Sequence, residues 1–370
     1  MFISTSYFCF ISVPLHASMI DIRPNARWTT NGITVAGGNG YGSGTNQLSN
    51  PLSLYVDDDQ TIYVADQYNH RIMEWKPGAT NGKVVAGGNG SGNEAHQLYN
   101  PYSVIIDKES DSLIIFDSGN QKVVRWPCRN GTRGETIISN ITCWGLTMDD
   151  NGFLYVAHYG KHEVRRYKIG DTQGTVVAGG NEQGNSLDQL SNPYYIFVDR
   201  EHSVYVSDYG NHRVMKWEEG ATQGVVVAGG RGQGNSLTQL HLPYGIIVDQ
   251  LGTVYVADYG NNRIMRWPKG ATQGSVIIGE NGQGAQSNQL NNPVGLLFIR
   301  ENPHISLYDI FIYTTSSCMK CALTNSDHGI IRALHLFNNS VFKASPEVAF
   351  HFLKAGKTTF VLVLKCGNND

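Results

Sequence analysis

Three stretches of the 370-residue chain share one spelling: Ala65-Asp-Gln-Tyr-Asn-His-Arg71, Ser207-Asp-Tyr-Gly-Asn-His-Arg213 and Ala257-Asp-Tyr-Gly-Asn-Asn-Arg263. A carboxylate and a guanidinium this close together, with an imidazole between them in two of the three, raise the question of an active site, and imidazoles can ligate a metal. His70, His162 and His212 hold the same place in three copies, so imidazoles converging on one face would make a ligand set. The other two copies put Gln121 and Asn262 there, which is the pattern of exposed turns rather than of a metal site. Asp66, Asp117, Asp208 and Asp258 recur too, in company with Asn69, Asn211 and Asn261 and with Arg71, Arg213 and Arg263. Chemistry rarely needs one acid several times over, whereas a turn does. The carboxylate can accept from turn amides or from the arginine, and asparagine tolerates a left-handed backbone. These residues are read as scaffold, with no catalytic residue, metal or cofactor.

Other reactive spellings are weaker. Glycine-rich pieces such as Gly37-Gly-Asn-Gly-Tyr-Gly-Ser-Gly44 are followed by strand patterns and lack the Gly-Lys-Ser/Thr ending of a phosphate loop. Cys318-Met-Lys-Cys321 is half of a zinc or redox motif without its second half. Cys128 and Cys143 flank one connection between repeats and read either as a disulfide, in an oxidising compartment, or as two buried thiols.

The spacing of the motif shows what must position it. Asp66, Asp117, His158, Asp208 and Asp258 follow one another, by subtraction, at steps of 51, 41, 50 and 50 residues. Each copy has one order: a proline, an alternating run ending in Asp, a turn, a second run, the motif, a third run ending mostly at Trp, and a Val-Ala-Gly-Gly-like stretch. In one copy these are Pro243–Asp249, Thr253–Asp258, Arg263–Trp267 and Ser275–Gly279. Alternation such as Val254-Tyr255-Val256-Ala257 sends side chains to opposite sheet faces. A four-stranded antiparallel unit of this size cannot bury both faces alone, so units stack radially into a β-propeller.

On these motifs the chain resembles the NHL-repeat β-propellers. Their Asn-His-Leu triplet appears as Asn69-His70-Arg71 and Asn211-His212-Arg213, and drifts to Asn261-Asn262-Arg263 and Asn120-Gln121-Lys122. Repeats starting near 51, 101, 143, 193, 243 and 293 lead to an all-β expectation: a six-bladed β-propeller of four-stranded antiparallel blades. The last blade is divergent, because Asp309 stands 51 residues after Asp258 but no Asn-His-Arg turn follows it. Arg27–Gly38 copies only the end of a repeat, so this N-terminal strand is expected to close the last blade and hide its edge. The organisation read is a signal-like or disordered leader at 1–25, the propeller at 26–309, and a divergent remainder of the sixth blade or an irregular tail at 310–370.

The resemblance leaves function open, since it implies lyases, sensor domains, ubiquitin-ligase scaffolds and RNA binders alike. The residue after each inner-strand proline is Leu52, Tyr102, Tyr194, Tyr244 or Val294, with Trp144 at the equivalent place in the third repeat. Tyr102, Trp144, Tyr194 and Tyr244 near the central opening could stack on a sugar, a peptide side chain or a base, or simply pack the blade tops. With His70 and His212 they are the candidate ligand-binding set. A net charge of −3, from 28 Lys+Arg against 31 Asp+Glu, offers no field for a polyanion and disfavours nucleic acid. The function expected is a non-catalytic binding or scaffold module, monomeric, recognising a protein, peptide or glycan. The alternatives are a metal-dependent enzyme like the peptidyl-amidating lyases, whose histidine and tyrosine set does not map onto this chain, or an RNA-binding or ubiquitin-ligase-associated propeller. No apolar run is long enough to span a membrane. Sequons at Asn130, Asn140 and Asn338 fit an extracellular or secretory location, with the cytoplasm as the other reading.

Overall fold

The computed structural model describes residues 36–279, 281–284, 289–302, 305–314 and 319–323. Short β-branched and aromatic runs punctuated by glycine and asparagine form antiparallel sheets, as their propensities require. Blade 1 contains β1 (Pro51–Val56), β2 (Ile62–Asp66), β3 (Arg71–Trp75) and β4 (Lys83–Gly87). Blade 2 contains β5 (Pro101–Asp107), β6 (Ser112–Asp117), β7 (Lys122–Pro127) and β8 (Glu135–Ser139). Blade 3 contains β9 (Cys143–Met148), β10 (Phe153–His158), β11 (Glu163–Lys168) and β12 (Thr175–Gly179). Blade 4 contains β13 (Pro193–Val198), β14 (Val204–Asp208), β15 (Arg213–Trp217) and β16 (Val225–Gly229), and blade 5 contains β17 (Pro243–Val248), β18 (Val254–Asp258), β19 (Arg263–Trp267) and β20 (Ser275–Ile278). In each blade every strand pairs with the next in sequence.

The expectation of six four-stranded blades is corrected: five such blades are present among the described residues. The last sheet has three strands, β21 (Pro293–Asn302), β22 (Ile305–Thr314) and β23 (Met319–Leu323). Its register explains why the sequence misled. In blades 1, 2, 4 and 5 the repeat proline pairs with the repeat aspartate, as in Pro243↔Asp258, but Pro293 pairs with Thr314. Asp309 pairs instead with Ile299, part-way along a hairpin whose two strands are 10 residues each, so it is not the motif aspartate. Residues 27–35 of the N-terminal closing strand expected at 27–38 lie outside the described residues, as does Cys318 of the Cys318/Cys321 pair.

The innermost strands β1, β5, β9, β13, β17 and β21 pack against one another in order, and β21 returns to β1, so the sheets surround a common axis. Between them lies the core. The second strands of blades 1, 2, 4 and 5 are wholly buried, Val254–Asp258 for instance, because blades cover both of their faces. Val64, Val156, Val206 and Val256 are fully excluded from solvent, and burying one such side chain is worth about 1.5–3 kcal/mol.

The turns between second and third strands, and the starts of the inner strands, lie at one end of the sheets; the turns between first and second strands lie at the other. Blades 1, 2, 4 and 5 are preceded by long connections that strap the outer strands. The tip of each strap is pinned, with Gly82 N–H donating to Thr45 O at 2.7 Å, Gly224 to Leu187 O at 2.8 Å and Gly274 to Leu237 O at 2.8 Å.

Candidate functional site

The motif turns are built identically. Each is a short 3-10 turn ending in a left-handed residue: His70, Gln121, His162, His212 or Asn262, at φ between 52° and 55°. In blade 4, Asp208 accepts from Ser191 N–H at 2.7 Å, from the Asn211 amide at 2.8 Å and from Arg213 Nε at 2.6 Å. The remaining guanidinium nitrogens of Arg213 donate to the carbonyls of Asn185, Ser186 and Gln189 in the strap. Blades 1 and 5 repeat this network around Asp66, Asn69 and Arg71 and around Asp258, Asn261 and Arg263. In blade 2, Lys122 replaces the arginine and lies 3.7 Å from Asp117. Burial raises the carboxyl pKa of Asp66, Asp117, Asp208 and Asp258, opposed by the asparagine, the backbone N–H and the cation beside each. Nothing in the network is left over to act on a ligand.

The histidines are staples between blades. Nδ1 of His70, His162 and His212 accepts the backbone N–H of Asn100, Asn192 and Leu242 respectively, each at 3.1 Å. In blade 5 the Asn262 Oδ1 takes the N–H of Asn292 at 2.8 Å. His70 and His212 are thus spent on neighbouring backbone and stand apart from the aromatic group with which they were expected to act. Burial, helped by the nearby His241, lowers the His212 pKa, while Asp258 opposes this.

The aromatic residues do come together. A register shift follows the start of each inner strand, between Pro51 and Ser53, Pro193 and Ile196, and Pro243 and Ile246. Such bulges re-aim side chains, and here they turn the residue after the proline toward the mouth of the ring. Tyr102 meets Trp144 edge-on with centroids 4.4 Å apart, Trp144 stacks on Tyr194 at 4.8 Å, and Tyr194 meets Tyr244 at 4.5 Å. The motif turns add a second row that the sequence reading did not single out. Tyr159, Tyr209 and Tyr259 lie 4.9, 4.5 and 4.6 Å from Trp144, Tyr194 and Tyr244. Their signal in the sequence is the Tyr-Gly after the repeat Asp or His, a spelling that turn chemistry alone also explains. Tyr102 is buried, whereas the other six are partly exposed. Blade 1 has the buried Leu52 and the last sheet the buried Val294 at the inner position, so the aromatics form an arc, not a circle.

Below the arc the ring is narrow, and Tyr195 of blade 4 comes close to Ser53 of blade 1. Inner strands approach so closely that a Cβ on Gly245 would lie 2.6 Å from the Gly295 Cα. Burial raises the phenol pKa values of Tyr102, Tyr194 and Tyr244, that of Tyr194 to about 12. These hydroxyls stay protonated in neutral solution.

Charge is segregated between the two ends. From the residue after the repeat Asp or His to the left-handed one, and in the two residues before each inner strand, the single formal charge is Lys161. At the opposite end every turn between first and second strands is acidic, from Asp57-Asp58-Asp59 in blade 1 to Asp249 in blade 5, against Lys108 and Arg200. Their first aspartates mostly cap the turn itself: Asp149 accepts from Asn151 and Phe153 N–H at 3.0 and 2.9 Å. A cleft of about 920 Å³ opens between blades 4 and 5, lined by Val225 and Val226 of an outer strand and by Leu251 and Lys269.

Cys128 and Cys143 are free thiols. Cys143 starts β9 at the mouth, while Cys128 follows β7 at the other end of the sheets, so a bridge between them is ruled out by the strand directions. Among the described residues, no group of three or more His, Cys, Asp or Glu side chains is placed to hold a metal. No helix among them is long and apolar enough to cross a membrane.

Comparison with known proteins agrees with this architecture. The NHL repeat model matches residues 48–73, which carry β1, β2 and the first motif turn. No curated protein matches the chain. A Bacteroides thetaiotaomicron protein of unknown function is similar at a TM-score of 0.59 and 14% identity, over 78% of this chain and 74% of that one. An auxiliary nutrient binding protein from the same organism is similar at 0.58 and 16% identity, over 78% and 74%. A chain of a nidogen/laminin complex is similar at 0.51 and 15%, over 66% and 83%. At such identities the likeness is one of fold. The chain is thus a β-propeller that carries a sequence match to the NHL repeat at residues 48–73.

Proposed function

We propose that the protein is a non-catalytic binding module whose ligand, a protein, peptide or glycan, rests on the aromatic arc at the mouth. The observation that carries this reading is the partial exposure of six contiguous rings, Trp144, Tyr159, Tyr194, Tyr209, Tyr244 and Tyr259, among turns and inner-strand starts whose one formal charge is Lys161. Rigid aromatic area with polar tips is the usual material of recognition surfaces, and mouths of closed β-structures are favoured pockets. That a structure of like fold is a nutrient binding protein is in keeping with it. The metal-dependent lyase alternative lacks a converging ligand set among the described residues. A secretory or extracellular location is part of the proposal, supported by the exposure of Asn130 and Asn140 in their sequons. A glycosidase-sensitive mass shift on protein made in secreting eukaryotic cells tests it, and intracellular retention without glycan would count against it.

The test of the binding role is a panel of immobilised peptides and oligosaccharides probed with the protein and with Trp144→Ala and Tyr209→Ala. Binding that falls in both variants, each still folded by circular dichroism at the assay temperature, supports the reading. A captured ligand whose affinity ignores both substitutions places recognition elsewhere.

A further inference from the structure

Resting on that reading, we infer that the arc takes a neutral oligosaccharide. Three features of the mouth lead there. The first is shape: the rings run in two rows across blades 3, 4 and 5, with inner Trp144, Tyr194 and Tyr244 each beside outer Tyr159, Tyr209 and Tyr259. An extended ligand of repeating flat units fits a platform that repeats from blade to blade. Trp144 and Tyr209 each stack on Tyr194, as Tyr244 does on Tyr259. The apolar C–H face of a pyranose can lie on the ring faces and edges these stacks leave exposed while its equatorial hydroxyls point sideways.

The second is what borders the platform. Sideways hydroxyls need neutral donors and acceptors, and the motif turns and inner-strand starts supply amides, hydroxyls and imidazoles with Lys161 as their one formal charge, the exposed Glu182 and Arg231 lying further out in the straps. The phenols of Tyr194 and Tyr244 add hydroxyl groups that stay protonated in neutral solution, because burial raises both pKa values.

The third is what the mouth does not offer other ligands. Single-stranded nucleic acid also stacks on aromatic platforms, but its affinity comes largely from cations tracking the phosphates, and one lysine does not make such a track. Extended peptides are commonly held by main-chain pairing along a sheet edge. Here the strands reach the mouth end-on, since the inner strands start there and the second strands finish there. The acidic turns that could hold a basic peptide are at the far end of the sheets.

The experiment titrates the full chain with four hexasaccharides of neutral sugars, linear β-glucan, α-glucan, β-mannan and β-xylan, alongside an oligogalacturonate and an acidic and a basic decapeptide. Calorimetry is run at low and at high salt. The expected result is saturable binding of at least one neutral hexasaccharide, insensitive to salt because no charge pairs form, and absent for the oligogalacturonate. Trp144→Ala and Tyr209→Ala should each weaken it about five- to tenfold. Tyr68→Ala, at an exposed tyrosine of blade 1 off the arc, should leave it unchanged. Near-ultraviolet circular dichroism and melting curves confirm that each variant is folded. If none of the four hexasaccharides binds, or if the oligogalacturonate binds as tightly as they do, the inference falls. Peptide binding that Trp144→Ala abolishes, with no sugar bound, would overturn this inference while leaving the binding role of the arc intact. Binding of a sugar that neither arc variant affects would overturn both.

Discussion

Replacing Asp208 with alanine is the sharpest test of why the motif recurs. The carboxylate has no exposed surface, and its partner Arg213 is 5% exposed. Removing it takes the acceptor from Ser191 N–H and from Arg213 Nε, while the Asn211 amide keeps the Gly184 carbonyl at 2.7 Å and the arginine keeps its three strap carbonyls. Two donors are therefore orphaned, one neutral and one charged. An unsatisfied buried donor costs about 1–3 kcal/mol, and breaking a buried ion pair from one side about 3–5 kcal/mol. The expected loss is about 3–5 kcal/mol in urea unfolding. Because the arginine also holds the strap, amides of residues 180–192 should lose hydrogen-exchange protection before the rest of blade 4. Arg213→Lys should cost less, about 1–2 kcal/mol, since blade 2 already works with Lys122, though without the fork that reaches several carbonyls. A double-mutant cycle with Arg213→Ala should give a coupling of at least about 1 kcal/mol. A cost for Asp208→Ala below about 1 kcal/mol, or no coupling, would refute the view that this network holds turn and strap together.

Three further outcomes follow from the geometry. His212 accepts a backbone N–H and so must be neutral at Nδ1. Its pKa is lowered in the folded state, so its contribution is present above the unfolded value of about 6.5 and is lost as pH falls through the folded one. His212→Asn, copying Asn262, should keep stability near pH 7.5 and show a smaller loss toward pH 5 than the parent; equal losses in urea titrations would disprove the assignment. Leu242 has φ of 53° where Asn50, Asn100, Asn192 and Asn292 occupy the equivalent left-handed positions. Leu242→Asn should stabilise by about 1 kcal/mol, read as a higher melting temperature, and a lower one would show that side-chain packing outweighs backbone strain. Gly245→Ala should cost about 3 kcal/mol or more because its Cβ meets backbone of the last sheet, whereas Gly232→Ala, with nothing within 4 Å, should cost only its left-handed strain of about 1 kcal/mol. Equal melting temperatures for the two would contradict the close approach of the inner strands.

Much of this was legible from spacing alone. Side-chain alternation and the Asp-to-Asp steps were sufficient to place the strands of all five four-stranded blades, because each repeat meets the same neighbours and so keeps the same residues. Where the chain stopped meeting that condition the reading failed. Asp309 sits at the right distance from Asp258, but distance along the chain does not determine register. A hairpin that runs on to Asn302 before turning moves Thr314 opposite the proline. The role of the histidines was hidden for another reason: a hydrogen bond to a backbone N–H thirty residues away leaves no mark on side-chain identity at the other end. The arc was half visible. Inner-strand aromatics could be found by their place after proline, but the bulge that aims them and the turn tyrosines that face them depend on pairing between strands.

Blade 3 shows that the motif answers to its strap and not to a ligand. Only residues 140–142 separate β8 from β9, whereas 88–100 separate β4 from β5. Without the longer connection there are no strap carbonyls for an arginine to hold, and the whole network changes with it. His158 replaces the aspartate, 3.4 Å from Thr142, and Glu163 takes the place of the arginine and pairs with Arg165 at 2.5 Å. A binding residue would have no reason to vanish with a loop on the outer wall of the ring. Trp144 and Tyr159 persist in this blade and join the neighbouring rings across its mouth, although their scaffold has been rewritten. Scaffold and candidate site are therefore separable. The charged network depends on what covers the outer strands, and the aromatic arc depends on the bulged starts of the inner strands. Substitutions in Asp208 or Arg213 should lower stability without moving ligand affinity in the folded protein, whereas those in Trp144 or Tyr209 should lower the affinity of the folded protein itself.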